Sequence, residues 1–213
     1  MLQFTLQVLM GFIAIMNPIG NVPIFVSLVD GLDRSAQLRV AKRSTTLAFF
    51  IVAVFTVSGN IIFRLFGITL PAFRIAGGIL VFMVAYNLVN VRRSRQHYPP
   101  EGEPIEHEDP ESIAVTPLAT PILAGPGTIS TAIAFVGDRS DLFHIGIVLG
   151  VFFGVALATY VAFVYGELLL ERLGKSWINI ITRLMGLILA VIAVQMIIEG
   201  IHGSVLLFSA SGR

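Results

Sequence analysis

Apolar residues run along this chain in long unbroken stretches: Leu2 to Val29, Ser44 to Phe66, Pro71 to Val91, Ile113 to Val136, Leu142 to Leu170 and Trp177 to Ile201. Each exceeds the ~20 residues a helix needs to cross a bilayer's hydrocarbon core. Hydrophobicity within them is continuous rather than alternating, which excludes the period-two strands of an outer-membrane barrel and predicts a bundle of six transmembrane helices. The first stretch has no basic residue before the turn at Asp30 and continues apolar past Pro23 without a small-residue cleavage pattern. It therefore reads as a retained span and not as a signal peptide. Composition agrees: the chain is 55% hydrophobic and 13% charged, with mean hydropathy +0.87, whereas an ordinary soluble domain is roughly a quarter charged. A water-soluble monomer is excluded, and six spans in 213 residues leave little for a separate soluble domain.

The basic residues between the stretches set an orientation. Arg64, Arg74, Arg139 and Arg213 fall on the side of the N-terminus, the turn at 64–74, the turn at 137–142 and the C-terminus. Arg34, Arg39, Lys42, Arg43, Arg92, Arg93, Arg95, Arg172, Lys175 and Arg183 fall on the other, four against ten. Positive charge accumulates on the cytoplasmic side, so both termini are expected on the non-cytoplasmic side of a cell inner membrane. The connector at 92–112 passes from basic to acidic and holds Pro99, Pro100, Pro104 and Pro110, a composition that cannot bury a core. It is expected to be a disordered cytoplasmic loop between two units, 1–91 and 113–213.

Those units resemble one another. Asn17-Pro18-Ile19-Gly20 interrupts the first stretch and Gly125-Pro126-Gly127-Thr128 the fourth, with the two prolines 108 residues apart. Arg74-Ile75-Ala76-Gly77-Gly78-Ile79-Leu80 matches Arg183-Leu184-Met185-Gly186-Leu187-Ile188-Leu189 at an offset of 109. A unit of three spans is odd, so its second copy enters the membrane from the opposite side. The expected fold is all-α: two inverted three-helix repeats, with helices 1 and 4 broken in mid-membrane.

Proline removes a backbone donor and clashes with the preceding turn, and neighbouring glycines weaken the helix further. Backbone groups freed in lipid must be satisfied by protein, water or a ligand, which places both breaks at an interior cavity. The amides of Gly20, Asn21 and Val22, and of Thr128, Ile129 and Ser130, would then open half-helices whose positive ends suit a carboxylate. Asn17, Asn21, Thr128, Ser130 and Thr131 add uncharged donors and acceptors. Carbonyls at Ile15, Met16, Leu123 and Ala124, with the Asn17 amide oxygen, would suit an ammonium group. The expected substrate-binding set is Asn17, Pro18, Gly20, Asn21, Gly125, Pro126, Gly127, Thr128, Ser130 and Thr131. Proline kinks packed on glycines are the blander alternative; breaks at matching spans of both repeats favour a site.

Met16 through Pro23, Phe66-Gly67-Ile68-Thr69-Leu70-Pro71, Arg74 through Gly78, Ala124 through Ile129 and Arg183-Leu184-Met185-Gly186 together resemble the MarC family of integral membrane proteins over nearly the whole chain. The Asn-Pro-Ile-Gly form resembles that family's SnatA-like branch of small neutral amino acid transporters. The resemblance implies a six-span inner-membrane protein that transports small neutral amino acids.

No acid or histidine lies near the centre of a span, which removes the usual proton relay. Glu167, Glu199, His144 and His202 read as interfacial, and the coupling ion is unspecified. Arg74 and Arg183 sit about a turn inside opposite faces, as snorkelling anchors or as gates. Tyr86 and Gln195, related by the same offset, are candidates to reach the cavity. Gly146, Gly150, Gly154 and Ala158 form a smooth stripe expected to pack within the chain, with a homo-oligomer seam as the alternative. His97, Glu106, His107, Glu108 and Asp109 lack metal-ligand spacing, and the chain has no cysteine, so neither metal nor cofactor is expected. Without an HExxH motif, a carboxylate pair or a base for Ser130, an enzyme is not expected. A channel would show a charged ring or carbonyl filter. The expected partners are a small neutral amino acid or similar solute and the lipid bilayer, with no nucleic acid.

Overall fold

The computed structural model describes residues 1–90, 110–137 and 141–211. Every element among them is helical: α1 (Leu2–Met16), α2 (Val22–Leu28), α3 (Arg34–Phe66), α4 (Leu70–Val89), α5 (Pro110–Ile113), a π-wound segment (Ala114–Leu123), α6 (Pro126–Val136), α7 (Leu142–Val164) and α8 (Gly166–Ser211). Four helical stretches, Arg34–Gly59, Leu70–Val89, Leu142–Val164 and Ser176–Ser209, are long and apolar enough to cross a membrane. The first and fourth apolar stretches, where breaks were expected, fold as shorter pieces, which leaves four uninterrupted candidate spans among the described residues.

Local chemistry explains the boundaries. α3 begins at Arg34, well before Ser44, because Asp33 caps it: Oδ1 accepts from the Ala36 N–H at 3.2 Å and Oδ2 from the Ser35 hydroxyl at 2.6 Å. Thr69 caps α4 in the same way, its Oγ1 accepting from the Ala72 N–H at 3.3 Å. The fifth stretch divides, α7 stopping at Val164 and α8 opening at Gly166. α8 bends at Gly174, whose φ of 69° only glycine adopts cheaply. α5 starts at Pro110, inside the expected connector, while residues 91–109 lie outside the described residues.

The fourth stretch breaks in more places than Gly125-Pro126. Thr116 (φ −131°, ψ 121°) and Thr120 (φ −134°, ψ 123°) are both extended, and each precedes a proline. Clash with the proline ring drives the preceding residue out of the helical region, so the two Thr-Pro pairs unwind this segment.

α4 and α8 run antiparallel in close apposition along glycines. A Cβ added at Gly78 would lie 2.8 Å from the Ala193 carbonyl oxygen, at Gly186 2.9 Å from the Val89 nitrogen, and at Gly200 2.7 Å from the Pro71 carbonyl oxygen. The core lies elsewhere, where the Phe12 ring meets Phe135 (5.8 Å) and Phe152 (4.8 Å) and Phe25 stacks on Phe163 (4.4 Å). Much of α1 and α6 is buried there, including Val8, Phe12, Met16, Thr128, Thr131 and Ala132. The long helices turn large apolar side chains outward: Phe50, Val54 and Val57 on α3, Phe82 and Met83 on α4, Leu184, Leu187, Val191 and Ile198 on α8. An apolar exterior around a partly polar interior is what a lipid solvent selects. The two broken stretches therefore lie at the centre and the long helices face outward.

Contacts also sort the turns into two ends. Phe4 meets His144 (ring centroids 5.3 Å), Arg74 reaches Gly137, and Gly203 lies over Pro71. These contacts gather the N-terminus, the start of α4, the start of α7 and the last turns of α8. At the opposite end Arg34 donates to the Val164 carbonyl at 2.5 Å and Arg43 pairs with Glu111 at 2.7 Å. The grouping is the one the basic residues separated. The glycine stripe of α7 does not pack within the chain as expected: a Cβ at Gly146, Gly150 or Gly154 would meet nothing within 4 Å, because that face points outward.

Candidate functional site

At the first break the helix ends on Asn17, which adopts left-handed geometry (φ 41°, ψ 64°) and donates its N–H to the Ile13 carbonyl at 2.9 Å. Asparagine tolerates this conformation better than other side chains, and Pro18 cannot continue the helix. The turn then closes on itself. Asn17 Oδ1 accepts from the Gly20 N–H at 3.2 Å, the Asn17 carbonyl from the Asn21 N–H at 3.0 Å, and the Ile19 carbonyl from the Val22 N–H at 3.2 Å. Asn21 Nδ2 donates to the Met16 carbonyl at 2.7 Å.

Two expectations are corrected by this. Gly20, Asn21 and Val22 offer no free amides, and the Asn17 oxygen and Met16 carbonyl already have partners, because short polar side chains satisfy a helix end more readily than a ligand can. What remains is Asn17 Nδ2. Asn17 is 2% exposed and this atom has no partner. It crowds Gly20, where a Cβ would lie 2.0 Å from it and 2.6 Å from Thr182 Oγ1, so only glycine fits there.

The second break is built differently. Gly125 (φ −77°, ψ 171°) stands at the N-cap of α6 with no side chain to bond, and Pro126 occupies the first turn, where its missing N–H costs nothing. The Ile129 N–H bonds the Gly125 carbonyl at 3.0 Å, so the open donors are not those expected at Ile129 and Ser130. They are the N–H groups of Gly127 and Thr128, which have no partner among the described residues. Three to four residues on, and hence on the same helix face, Thr131 Oγ1 is buried without a partner in a residue 1% exposed. Thr128 and Ser130 are 2% and 5% exposed. Ser130 packs on α4, where a Cβ at Gly77 would lie 2.9 Å from its own Cβ.

The two breaks approach through Ile15, whose Cδ1 would lie 3.0 Å from a Cβ on Gly127, with Val84 at 3.6 Å and Val81 at 3.8 Å. The breaks are packed closed in this conformation, with Pro126 exposed and Pro18, Gly20 and Asn21 half-buried. Cavities of about 350 and 460 Å³ open elsewhere, between α3 and α5 and between α7 and α8. Ile15 was expected to contribute its carbonyl and here contributes its side chain, whereas Val81, Val84 and Thr182 are neighbours that the sequence did not single out. Thr182 alone carried a signal, as a hydroxyl inside an apolar run beside Arg183.

Arg74 does not stand alone as an anchor. Its Nε lies 3.9 Å from Glu199 Oε2, and Gln195 Nε2 donates to Glu199 Oε1 at 3.1 Å. Arg183 is exposed and makes no ion pair among the described residues. Tyr86 and Gln195 are both exposed and do not reach the breaks, because the faces carrying them turn outward. Among the described residues no three of His, Cys, Asp or Glu come together to hold a metal; the cluster from His97 to Asp109 lies outside them.

The family model described as MarC family integral membrane protein matches residues 2–205. The chain is 42% identical over 203 residues to the UPF0056 membrane protein YvbG of Bacillus subtilis, covering 95% of this chain and 96% of that one. A UPF0056 membrane protein of Methanocaldococcus jannaschii is 36% identical over 206 residues (96% and 99% covered). The UPF0056 membrane protein YhcE of Escherichia coli is 34% identical over 197 residues (91% and 89%). No solved structure matches the chain.

Proposed function

The chain belongs to the MarC family of integral membrane proteins, and we propose that it is an inner-membrane transporter of a small neutral solute, a small neutral amino acid above all, working by alternating access about its two broken helices. One observation carries the reading. Among the described residues, the buried side-chain polar atoms left without a partner are Asn17 Nδ2 and Thr131 Oγ1, one at each break. A buried polar group left unpaired costs about 1–3 kcal/mol, and one at each break supports a ligand that satisfies both.

The chemistry of the donors selects the ligand. The Gly127 and Thr128 amides lie at the positive end of α6 with the Thr131 hydroxyl behind them, a set that binds a carboxylate. No basic side chain is among the nearest neighbours of Gly20 or Gly127, which disfavours a strongly anionic ligand, and a zwitterion meets both conditions. Its ammonium group is assigned to backbone carbonyls beside the breaks. Ile15, Val81 and Val84 close on Gly127 in this conformation, so a ligand enters when that contact opens, and a small side chain needs the least opening. Counting each broken stretch as one crossing gives the six spans of this reading, and the antiparallel packing of α4 on α8 along glycines is compatible with its inverted repeats. Both termini then face away from the cytoplasm. The chemistry is transport and not catalysis.

Purified protein in vesicles tests this by uptake of labelled glycine, alanine and serine under sodium and proton gradients. Wild type should exceed empty vesicles for at least one solute. Gly127→Leu, which buries a side chain against Ile15, should abolish uptake, and Asn17→Ala should weaken it. Equal uptake by wild type, Gly127→Leu and empty vesicles for all three solutes would discard the amino acid reading in favour of a channel or a non-transporting membrane protein.

A further inference from the structure

Away from the breaks, at the end of the bundle that carries Arg34, the cavity of about 350 Å³ between α3 and α5 is lined by Arg39, Lys42, Arg43, Thr46, Leu47 and Glu111 among others. Glu111 pairs with Arg43 at 2.7 Å and Arg39 donates to Ser35 Oγ at 3.1 Å. Three cations against one carboxylate leave the lining net positive. Below it the same face of α3 continues outward and apolar: Phe50, Val54, Val57, Ile61 and Leu65 are all exposed at helical spacing. A cationic recess directly above an apolar stripe has the two-part chemistry of a phospholipid; a free phosphate would use the recess alone.

We propose that this recess holds the headgroup of an anionic phospholipid, with the acyl chains lying along Phe50, Val54, Val57 and Ile61. Basic pockets between spanning helices favour anionic headgroups, each Lys or Arg near the surface contributing about five-fold in affinity. The inference needs only that the chain is an integral membrane protein, and it stands whether or not the chain transports amino acids.

The test is native mass spectrometry of the purified full-length protein in detergent, titrated with phosphatidylglycerol, cardiolipin or phosphatidylcholine, with glycerol phosphate as a soluble competitor. Phosphatidylglycerol and cardiolipin should bind at least ten-fold more tightly than phosphatidylcholine, and millimolar glycerol phosphate should not displace them. The triple variant Arg39→Gln/Lys42→Gln/Arg43→Gln should lose that preference, whereas Arg183→Gln, a charge removed from another helix, should keep it. Thr46→Trp retains every charge but fills the recess, so it should lose the preference too and decides the matter if the triple variant fails to fold. Equal binding of phosphatidylcholine, or a preference that survives Thr46→Trp, would overturn the proposal. Displacement by glycerol phosphate would reassign the recess to a free phosphate.

Discussion

The Thr131 hydroxyl separates a ligand site from a packing defect, because the two make opposite predictions for one substitution. Thr131→Val keeps the shape and removes the oxygen. That oxygen is buried without a partner in a residue 1% exposed, so the resting protein gains back its desolvation cost, about 1–3 kcal/mol, and melts at higher temperature. If the hydroxyl donates to a substrate carboxylate, binding loses a hydrogen bond to a charged group, about 1.5–3 kcal/mol or roughly 10- to 150-fold. Stability should rise while uptake falls. Thr159→Val is the matched control: Thr159 is fully buried, but its Oγ1 already donates to the Val155 carbonyl at 2.8 Å, so neither gain in stability nor loss of uptake should follow. Thermal unfolding followed by the single tryptophan, together with vesicle uptake, reads both quantities. A Thr131→Val protein that melts lower and transports less, or that changes neither quantity, would refute the assignment of this hydroxyl to the ligand.

Gly125→Asn places at the second break the side chain that caps the first; its oxygen should take the Gly127 or Thr128 N–H, raising the melting temperature and abolishing uptake, and an unchanged uptake would count against the α6 end as the anion site. Cysteines introduced at Ser112 and Leu142 into this cysteine-free chain should react with an impermeant reagent from opposite sides of the membrane, and labelling of both from one side would remove the six-span topology. The Ser35 hydroxyl, helped by the Ala36 N–H and Arg39, holds the Asp33 carboxyl below its ordinary 3.8. A carboxyl lowered on folding stabilises above its unfolded value and stops doing so as pH falls through its folded value. The melting gap between wild type and Asp33→Ala should therefore be widest near neutral pH and close in acid below 3.8.

Much of this was legible in the sequence for physical reasons. Continuous apolar runs can only be helices in lipid, and Asn17-Pro18 and Gly125-Pro126 each combine a residue that leaves the helix with one that cannot re-enter it. What a linear reading lacks is the partner of each polar group. Asn17 and Asn21 were read as groups turned toward a ligand, yet both spend hydrogen bonds on their own turn, and only three-dimensional geometry shows Nδ2 left over. Thr116 and Thr120 were hidden differently: the Thr-Pro signal was present, but within an apolar run it reads as a span that continues. Glu199 finds Arg74 from another helix, where no spacing rule relates them. Periodicity located the Gly146–Gly154 stripe on one face of α7 without saying whether that face turns in or out.

The two breaks also differ from each other in an informative way. At an offset of 108, Asn17 corresponds to Gly125 and Pro18 to Pro126. The backbone demand is the same in both places: a helix stops, a proline intervenes, and the amides of the next helix need acceptors. At the first break the Asn17 side chain supplies one and its carbonyl another, so the amides there are satisfied without a ligand. At the second the corresponding residue has no side chain, and the need passes to whatever enters from outside. Two breaks that match in sequence but differ in capping are suited to different work. On the proposed transport reading the first break is the hinge, its turn closed by its own hydrogen bonds, with the buried Asn17 Nδ2 left over as a donor. On the same reading the second is the seat, where a carboxylate would take the place of the missing cap. An anion bound there would satisfy donors in α6 that nothing among the described residues satisfies, and its binding energy would then be available to open the contact of Ile15 on Gly127.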